Sequence, residues 1–230
     1  MKLRIAEIFH SIQGEGIWAG IPSTFVRVSG CNLRCVWCDT PYASWKPEGP
    51  TVGLDEIVTE VASQNIDHVV LTGGEPMLFD PIVELSARLR QMGKIITIET
   101  AGTIYRDLEC DLMSISPKLG HSTPVGDEKW ERRHEELRLQ PEVLRQLMAK
   151  YNYQLKFVVE TGDAEEIAEI ESLLGIIGPV PPGRVLLMPE GRDQAMLWRK
   201  AKVLIPIVTE RNWRLAPRLQ IDLFGDKRGT

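Results

Sequence analysis

Three cysteines within one short segment carry the strongest chemical signal in this chain. Cys31, Cys35 and Cys38 lie in the run SGCNLRCVWCDT, whereas the fourth cysteine, Cys110, lies far downstream. Three thiolates from one loop can hold a metal centre and leave one coordination position open, whereas a structural zinc site is usually closed by four ligands. The spacing therefore predicts an iron–sulfur cluster with three protein ligands and one iron that is free for chemistry.

Other interpretations of the three cysteines are weaker. A disulfide framework requires an even count and an oxidising compartment, and the sequence shows no secretory segment. A closed zinc site requires a fourth ligand, which His10 or Cys110 would supply by folding back. Three purely structural cysteines at this spacing are disfavoured because cysteine is rare in the chain. The cluster is the preferred hypothesis, and the closed zinc site is its alternative.

The composition is that of an ordinary globular protein. Of the 230 residues, 43% are hydrophobic and 26% are charged, which predicts a single domain over residues 1–230 with a substantial core. The net charge of −5 does not indicate a nucleic-acid partner, and no apolar run is long enough to span a bilayer. We therefore expect a cytoplasmic protein that binds neither nucleic acid nor membrane.

Strand-like and helix-like apolar patterns alternate along the chain. Strands are predicted at 24–30, 68–74, 95–100, 112–116, 153–160 and 184–190, and helices at 54–64, 81–92, 163–174 and 192–208. About six βα units of this kind predict an α/β fold, either a partial (β/α)6-type barrel or an open doubly wound sheet. In both architectures function lies at the carboxyl ends of the strands, where the motifs SGC, TGGEP, ETAG, SPK and MPEG fall.

The cysteine pattern Cys-x3-Cys-x2-Cys, with Trp37 before the third cysteine, resembles the radical S-adenosylmethionine (SAM) superfamily. That resemblance implies a 4Fe–4S cluster whose fourth iron is chelated by the amino and carboxylate groups of SAM. A low-potential electron then cleaves the sulfonium and yields a 5′-deoxyadenosyl radical, and such potentials are accessible to cysteine-ligated clusters. The segment TGGEP (72–76) resembles the glycine-rich motif of the superfamily, and glycines after a strand also permit close backbone approach to a ligand.

A narrower resemblance covers most of residues 5–120. The segments IFHSIQGEG (8–16), FVRVSGCNLRCVWCDT (25–40), TGGEP, ETAGT and SPK together resemble the 7-carboxy-7-deazaguanine synthase family. This implies a lyase that contracts the ring of 6-carboxy-5,6,7,8-tetrahydropterin to 7-carboxy-7-deazaguanine, with loss of ammonia and with Mg²⁺, in queuosine and 7-deazapurine biosynthesis. It also implies a flavodoxin- or ferredoxin-type reductant and a homodimer.

The resemblance further implies roles for individual residues. Substrate contacts are expected from Ile12, Gln13, Gly14, Glu15, Arg27 and Thr72. Contacts to SAM are expected from Trp37, Cys38, Asp39, Gly74, Glu75, Thr100, Ser116, Pro117 and Lys118. The cluster ligands are Cys31, Cys35 and Cys38, and Thr40 is a magnesium ligand whose single hydroxyl must be supplemented by water and substrate oxygens.

Three of these residues have an alternative role. Arg27 lies in an alternating strand and either forms a bidentate pair with the substrate carboxylate or an internal ion pair with Glu7 or Glu99. Glu15 either accepts a hydrogen bond from the exocyclic amine of the pterin or is a simple turn residue. Trp37 either contacts the adenine or shields the cluster.

Two segments lie outside these motifs. Residues 119–140 are polar and highly charged, which favours a solvated helix over a functional lid. In the family, the chain commonly ends near a Gln-x-His-Lys type of segment, but here Gln220 is followed by Ile221 and Asp222. The role of residues 217–230 at the substrate is therefore open.

Two competing functions remain. A glycyl-radical activase has the same cysteine spacing and a small size, but it does not account for IQGEG, TGGEP and Thr40. A non-enzymatic zinc- or cluster-binding module would have a closed four-ligand site and would not cleave SAM.

Overall fold

The computed structural model describes residues 1–230 and contains one nine-stranded sheet with seven α-helices. The strands are β1 (Lys2–Ile12), β2 (Pro22–Val28), β3 (Thr51–Gly53), β4 (His68–Gly73), β5 (Ile95–Thr100), β6 (Leu112–Ile115), β7 (Tyr153–Val159), β8 (Val185–Pro189) and β9 (Arg214–Leu215). The helices are α1 (Leu54–Ser63), α2 (Pro81–Gln91), α3 (Glu128–Arg138), α4 (Pro141–Lys150), α5 (Ala164–Ile177), α6 (Gln194–Arg211) and α7 (Leu219–Phe224).

The sheet is open and mostly parallel. Its strand order is β3-β1-β2-β4-β5-β6-β7-β8-β9, so β3 and β9 are its edges. The pairs β1–β2 and β1–β3 are antiparallel, and every pair from β2–β4 to β8–β9 is parallel. This confirms the predicted α/β class of the partial-barrel type, with the carboxyl ends of the parallel strands gathered at one side.

The two faces of the sheet have different roles because successive side chains in a strand point in opposite directions. One face carries apolar residues such as Val26, Leu71 and Ile98, which are fully buried against the helices in a core of 32 residues. The opposite face carries Arg27, Thr72 and other polar side chains that line a cavity.

Local signals explain where several helices begin. The side chains of Asp127, Asp163 and Asp193 each accept a hydrogen bond from a backbone N–H in the first turn of α3, α5 and α6 respectively. Helix α6 ends at Asn212 in the left-handed conformation, with φ of 55°. None of the helices combines the length and apolarity that crossing a membrane would require.

The sequence located most of these elements. The predicted strand 95–100 matches β5, and the other predicted strands and helices lie within a few residues of the observed ones. The charged segment 119–140 does form a mostly exposed helix, α3, but its His134 is completely buried against the cysteine loop. Helices α4 and α7 and the short edge strand β3 were not anticipated, because their apolar patterns are brief.

Candidate active site

A cavity of about 510 Å³ opens at the carboxyl ends of the parallel strands. Residues from β1, β2, the cysteine loop, the ends of β4 to β8, and the C-terminal segment line it. This is the position where α/β sheets of this kind bind ligands. Of the residues expected at the site, all except Glu75 and Pro117 lie in the cavity wall.

The cysteine loop is held at this cavity by backbone hydrogen bonds. It leaves β2 after Val28, and Gly30 donates its N–H to the carbonyl of Ala43 at 2.7 Å. Further along, Val36 donates to the carbonyl of Ser122 at 2.9 Å, which ties the loop to the segment before α3. Leu33 anchors the loop from within, since it is only 1% exposed.

The three thiols of this loop share one environment. Burial raises the pKa of Cys31 and of Cys35 to about 12; after burial, the Glu75 carboxylate adds to the rise at Cys31, and the Lys118 ammonium opposes it at Cys35. A backbone N–H from Leu33 donates to Cys31 Sγ at 3.3 Å, and a hydrogen bond of 3.1 Å joins Cys38 Sγ to Ser44 Oγ. All three cysteines line the cavity, and the sulfurs of Cys31 and Cys38 are held there by hydrogen bonds.

This donor set fits a cluster better than a single metal ion. No group of three His, Cys, Asp or Glu side chains converges closely enough to bind one ion. Cys110 packs against the core on the helix-covered side of the sheet, and exposed His10 lies on β1 outside the cavity wall, so neither closes a fourth position. Three thiols facing a cavity match a multi-iron cluster whose remaining iron faces a ligand.

The glycines of TGGEP pack the cysteine loop against the end of β4. A Cβ atom at Gly74 would lie 2.2 Å from the carbonyl oxygen of Gly30 and 2.5 Å from that of Ala43. Gly73 has φ of 136°, and a Cβ there would lie 2.1 Å from the carbonyl oxygen of Val28. These two positions require glycine because the two loops touch through their backbones.

Glu75 lies behind the cavity wall rather than in it. Its carboxylate is fully buried and accepts hydrogen bonds from Thr100 Oγ1 at 2.8 Å, from the N–H of Ala101 at 2.8 Å and from the N–H of Met77 at 3.0 Å. Burial raises the pKa of Glu75 in spite of these bonds. Glu75 thus joins the ends of β4 and β5 and fixes the position of Thr100.

The SPK segment places an ammonium group close to the thiols. Lys118 Nζ donates to the carbonyl oxygen of Ser116 at 2.7 Å and to its hydroxyl at 2.8 Å, and it lies 5.8 Å from the centre of the Trp37 ring. Burial lowers the pKa of Lys118, while the neighbouring Cys35 acts in the opposite direction.

A row of polar side chains crosses the cavity floor from strand to strand. Strand register places Arg27 beside Thr72, Glu99 beside Ser114, and Ser114 beside Gln154. Thr72 Oγ1 donates to Glu99 Oε2 at 2.7 Å, and Gln154 Nε2 donates to Ser114 Oγ at 2.7 Å. Parallel pairing therefore assembles this row from residues far apart in sequence.

Arg27 forms an internal ion pair with Glu7, which was one of the two alternatives expected from the sequence. Its Nε donates to Glu7 Oε1 at 2.7 Å, and Glu7 also accepts from Tyr42 and Arg228. Burial opposes ionisation of Glu7, but these three donors lower its pKa. The two terminal nitrogens of Arg27 make no hydrogen bond within the protein, so they remain available at the cavity wall.

Gln13 and Glu15 are both engaged by other parts of the chain. Gln13 Nε2 donates to Glu99 Oε1 at 3.1 Å, and its Oε1 accepts from the N–H of Glu15 at 3.1 Å. The Glu15 carboxylate is bound by Lys156, by Arg218 Nε at 3.1 Å and by Gln220 Nε2 at 2.8 Å. Burial would raise the pKa of Glu15, but Lys156 and Arg218 hold it well below the usual range.

The C-terminal segment completes this wall. Arg218 also pairs with Asp39 at 2.6 Å, which links the tail to the cysteine loop. Gln220 Oε1 is buried and has no partner, and a Cβ at Gly14 would lie 1.8 Å from that atom. Residues 225–230 also line the cavity, and the ring of Tyr42 lies 3.9 Å below the Arg228 guanidinium.

The remaining residues expected at the site are distributed along the same wall. Ile12 and Gly14 lie at the end of β1, and Asp39 and Thr40 follow the last cysteine. The Thr40 hydroxyl is 3.8 Å from Cys38 Sγ. Pro117 lies outside the wall, between Ser116 and Lys118.

Several cavity residues were missed in the sequence. Lys156 lies in a strand whose apolar run hid it, and Arg218 lies in a tail segment without a recognisable motif. The only available signal was the placement of a lysine inside the apolar strand YQLKFVVE, since a buried lysine requires a partner.

Comparisons with known proteins show which family the chain belongs to. Residues 25–158 match the family model of the Radical SAM superfamily. The chain is 46% identical to the 7-carboxy-7-deazaguanine synthase of Halobacterium salinarum, over 99% of this chain and 93% of that protein. It is 43% identical to the 7-carboxy-7-deazaguanine synthase of Rhodopirellula baltica, over 100% of this chain and 89% of that protein.

A solved structure supports the fold. The crystal structure of QueE from Escherichia coli aligns with a TM-score of 0.69 and 24% identity, over 94% of this chain and 93% of that one. Full-length similarity to curated relatives and the superfamily match over the cysteine loop lead to one assignment. The chain belongs to the 7-carboxy-7-deazaguanine synthase family of the radical SAM superfamily.

Proposed function

We propose that this protein is a 7-carboxy-7-deazaguanine synthase, a carbon–nitrogen lyase that converts 6-carboxy-5,6,7,8-tetrahydropterin to 7-carboxy-7-deazaguanine with release of ammonia. One observation carries the proposal. The three-thiol wall and the polar row from Arg27 to Ser114 face the same cavity of about 510 Å³. A cluster with SAM and a bicyclic, carboxylated substrate can therefore be neighbours.

The residues at one end of the cavity suit the cofactors. When bound, the 4Fe–4S cluster and SAM supply hydrogen-atom abstraction from the pterin. Cys31, Cys35 and Cys38 would hold the cluster. Lys118 and Thr100 would face SAM from the ends of β6 and β5, and Glu75 supports Thr100 from behind.

The other end suits the substrate. The free nitrogens of Arg27 can bind a carboxylate in the planar, two-point manner that guanidinium favours. Glu99 and Thr72 offer an acceptor and a hydroxyl to the edge of a pterin, and Gln13 fixes Glu99 in place. The Glu15 carboxylate already accepts hydrogen bonds from Lys156 and its other partners. We therefore propose that Glu15 shapes the cavity wall and does not bind the substrate directly.

The finer expectations fit the same proposal. Thr40 would bind Mg²⁺ with substrate and water oxygens completing the coordination, since one hydroxyl alone is a poor site. A flavodoxin- or ferredoxin-type reductant, a homodimer, a cytoplasmic location and a single domain over residues 1–230 complete the proposed description.

Anaerobically reconstituted and reduced protein, supplied with SAM, Mg²⁺ and the carboxytetrahydropterin, tests the proposal. We expect 7-carboxy-7-deazaguanine by mass spectrometry. A glycyl-radical activase would leave the pterin untouched. Metal and sulfide analysis separates the zinc form of the remaining alternative, because a closed zinc module would contain zinc without sulfide, whereas the enzyme would contain iron with matching sulfide; a closed cluster module would leave SAM uncleaved.

A further inference from the structure

The indole of Trp37 is held by a residue that the proposed function does not use. Trp37 lies between Cys35 and Cys38 and forms part of the cavity wall. Its Nε1–H donates to His121 Nδ1 at 2.9 Å, and the two rings lie 5.6 Å apart at 29°. The indole also packs against Val158 and neighbouring apolar residues.

His121 is itself fixed from the opposite edge. Its Nε2 lies 3.0 Å from Glu166 Oε1 and 3.2 Å from the carbonyl oxygen of Val158. Glu166 is only 8% exposed, and its carboxylate also accepts the backbone N–H groups of residues 160–162 at 2.7 to 3.0 Å. The carboxylate therefore has a fixed position at the start of α5, just beyond the end of β7.

These contacts determine the tautomer of His121. Trp37 can only donate, so Nδ1 must be the acceptor and Nε2 must carry the proton that Glu166 or Val158 accepts. Protonation at Nδ1 would remove the acceptor for the indole. Burial opposes that protonation, but Glu166 and, more weakly, Glu160 at 3.7 Å from Nδ1 raise the pKa of His121.

We propose that His121, braced by Glu166, is a positioning residue that holds the Trp37 indole against the SAM site and so sets the affinity for SAM. The inference rests on the proposed function, since it takes SAM to lie beside Trp37. His121 comes from the segment 119–140, and the neighbouring carbonyl of Ser122 accepts from Val36 of the cysteine loop. This segment therefore contacts the cysteine loop at two points next to the indole.

Calorimetric titration of SAM into the anaerobically reconstituted, unreduced enzyme tests the inference without requiring turnover. We expect His121→Leu to weaken SAM binding by roughly tenfold, the loss expected for one buried hydrogen bond. His121→Gln keeps an acceptor and a donor and should restore most of the affinity. In Trp37→Phe, which lacks the indole N–H, adding His121→Leu should have little further effect, because the interaction is already absent.

The pH dependence supplies a second readout. SAM affinity of the native enzyme should fall as the pH drops through the raised pKa of His121, while His121→Gln should give a flatter profile. Unchanged affinity in His121→Leu, or additive effects of the two substitutions, would overturn the inference. If the native enzyme itself fails to bind SAM, the proposed function fails instead, so the two failures are distinguishable.

Discussion

Acidification is expected to loosen the attachment of α3 to the cysteine loop through His134. This ring is 0% exposed, and its Nδ1 accepts the backbone N–H of Arg34 at 3.1 Å. Its Nε2 lies 2.9 Å from Ser122 Oγ, and that hydroxyl donates its own proton to the carbonyl of Leu119 at 2.6 Å. Nε2 must therefore carry the only ring proton, and an imidazolium would direct a second N–H at the N–H of Arg34.

The size of the effect follows from two pKa values. Burial lowers the pKa of His134 to about 4, whereas a histidine in the unfolded chain titrates near ~6.5. Between these values the unfolded chain binds more protons than the folded chain. The contribution of His134 to the free energy of unfolding is therefore fully present above pH ~6.5 and is lost as the pH falls towards about 4. The free energy of unfolding should decrease by roughly 2 kcal/mol between about pH 7 and about pH 5.

Urea unfolding at a series of pH values, compared between the native chain and His134→Gln, measures this contribution. His121 has a raised pKa, so its contribution to the free energy of unfolding is present at low pH and is lost as the pH rises. This contribution is the same in the native chain and in His134→Gln. The difference between the two curves should therefore isolate His134. Parallel curves, or an NMR titration of His134 with a midpoint near ~6.5, would show that burial of this ring does not contribute the pH dependence.

Three further predictions concern single substitutions in the cavity wall. Lys156→Met should lower the free energy of unfolding by about 3 kcal/mol in urea titrations, because it removes a buried partner of Glu15. Gly74→Ala should reduce iron incorporation on reconstitution, since the new Cβ would lie 2.2 Å from the carbonyl oxygen of Gly30. Arg27→Lys should raise the KM for the pterin by roughly tenfold or more while SAM binding is unchanged, because the planar two-point contact is lost.

Matched controls are available in the same chain. Lys200→Met removes the partner of Glu190 in a more exposed pair and should cost far less than Lys156→Met. Gly175→Ala lies in α5, where an added Cβ meets nothing within 4 Å, and should leave iron content unchanged. Equal losses in Lys156→Met and Lys200→Met would contradict the buried network. Normal iron content in Gly74→Ala would contradict the assigned packing of the cysteine loop.

The parts of the site that the sequence predicted are those encoded by local spacing. Cys31, Cys35 and Cys38 share one loop, and TGGEP follows directly from a β-branched strand, so their chemistry was visible without a fold. Arg27 also faces the cavity, as strand alternation required, but alternation alone did not decide whether Glu7 would be its partner.

The parts that sequence reasoning missed depend on long-range pairing. The ion pair between Glu15 and Lys156 joins residues separated by 141 positions, and that between Asp39 and Arg218 by 179. His121 lies in a segment that is mostly charged and solvated, so nothing local marked it as a partner of Trp37. Such contacts depend on how the fold brings loops, strands and the C-terminal segment together in space, which no local pattern specifies.

We propose that the thiol loop and the polar row serve one reaction in one cavity. Mass spectrometric analysis of reduced, cluster-loaded protein with SAM and 6-carboxy-5,6,7,8-tetrahydropterin tests it most directly. We expect 7-carboxy-7-deazaguanine to form while SAM is largely recovered. Fully loaded protein that cleaves SAM to 5′-deoxyadenosine but leaves the pterin unchanged would contradict it.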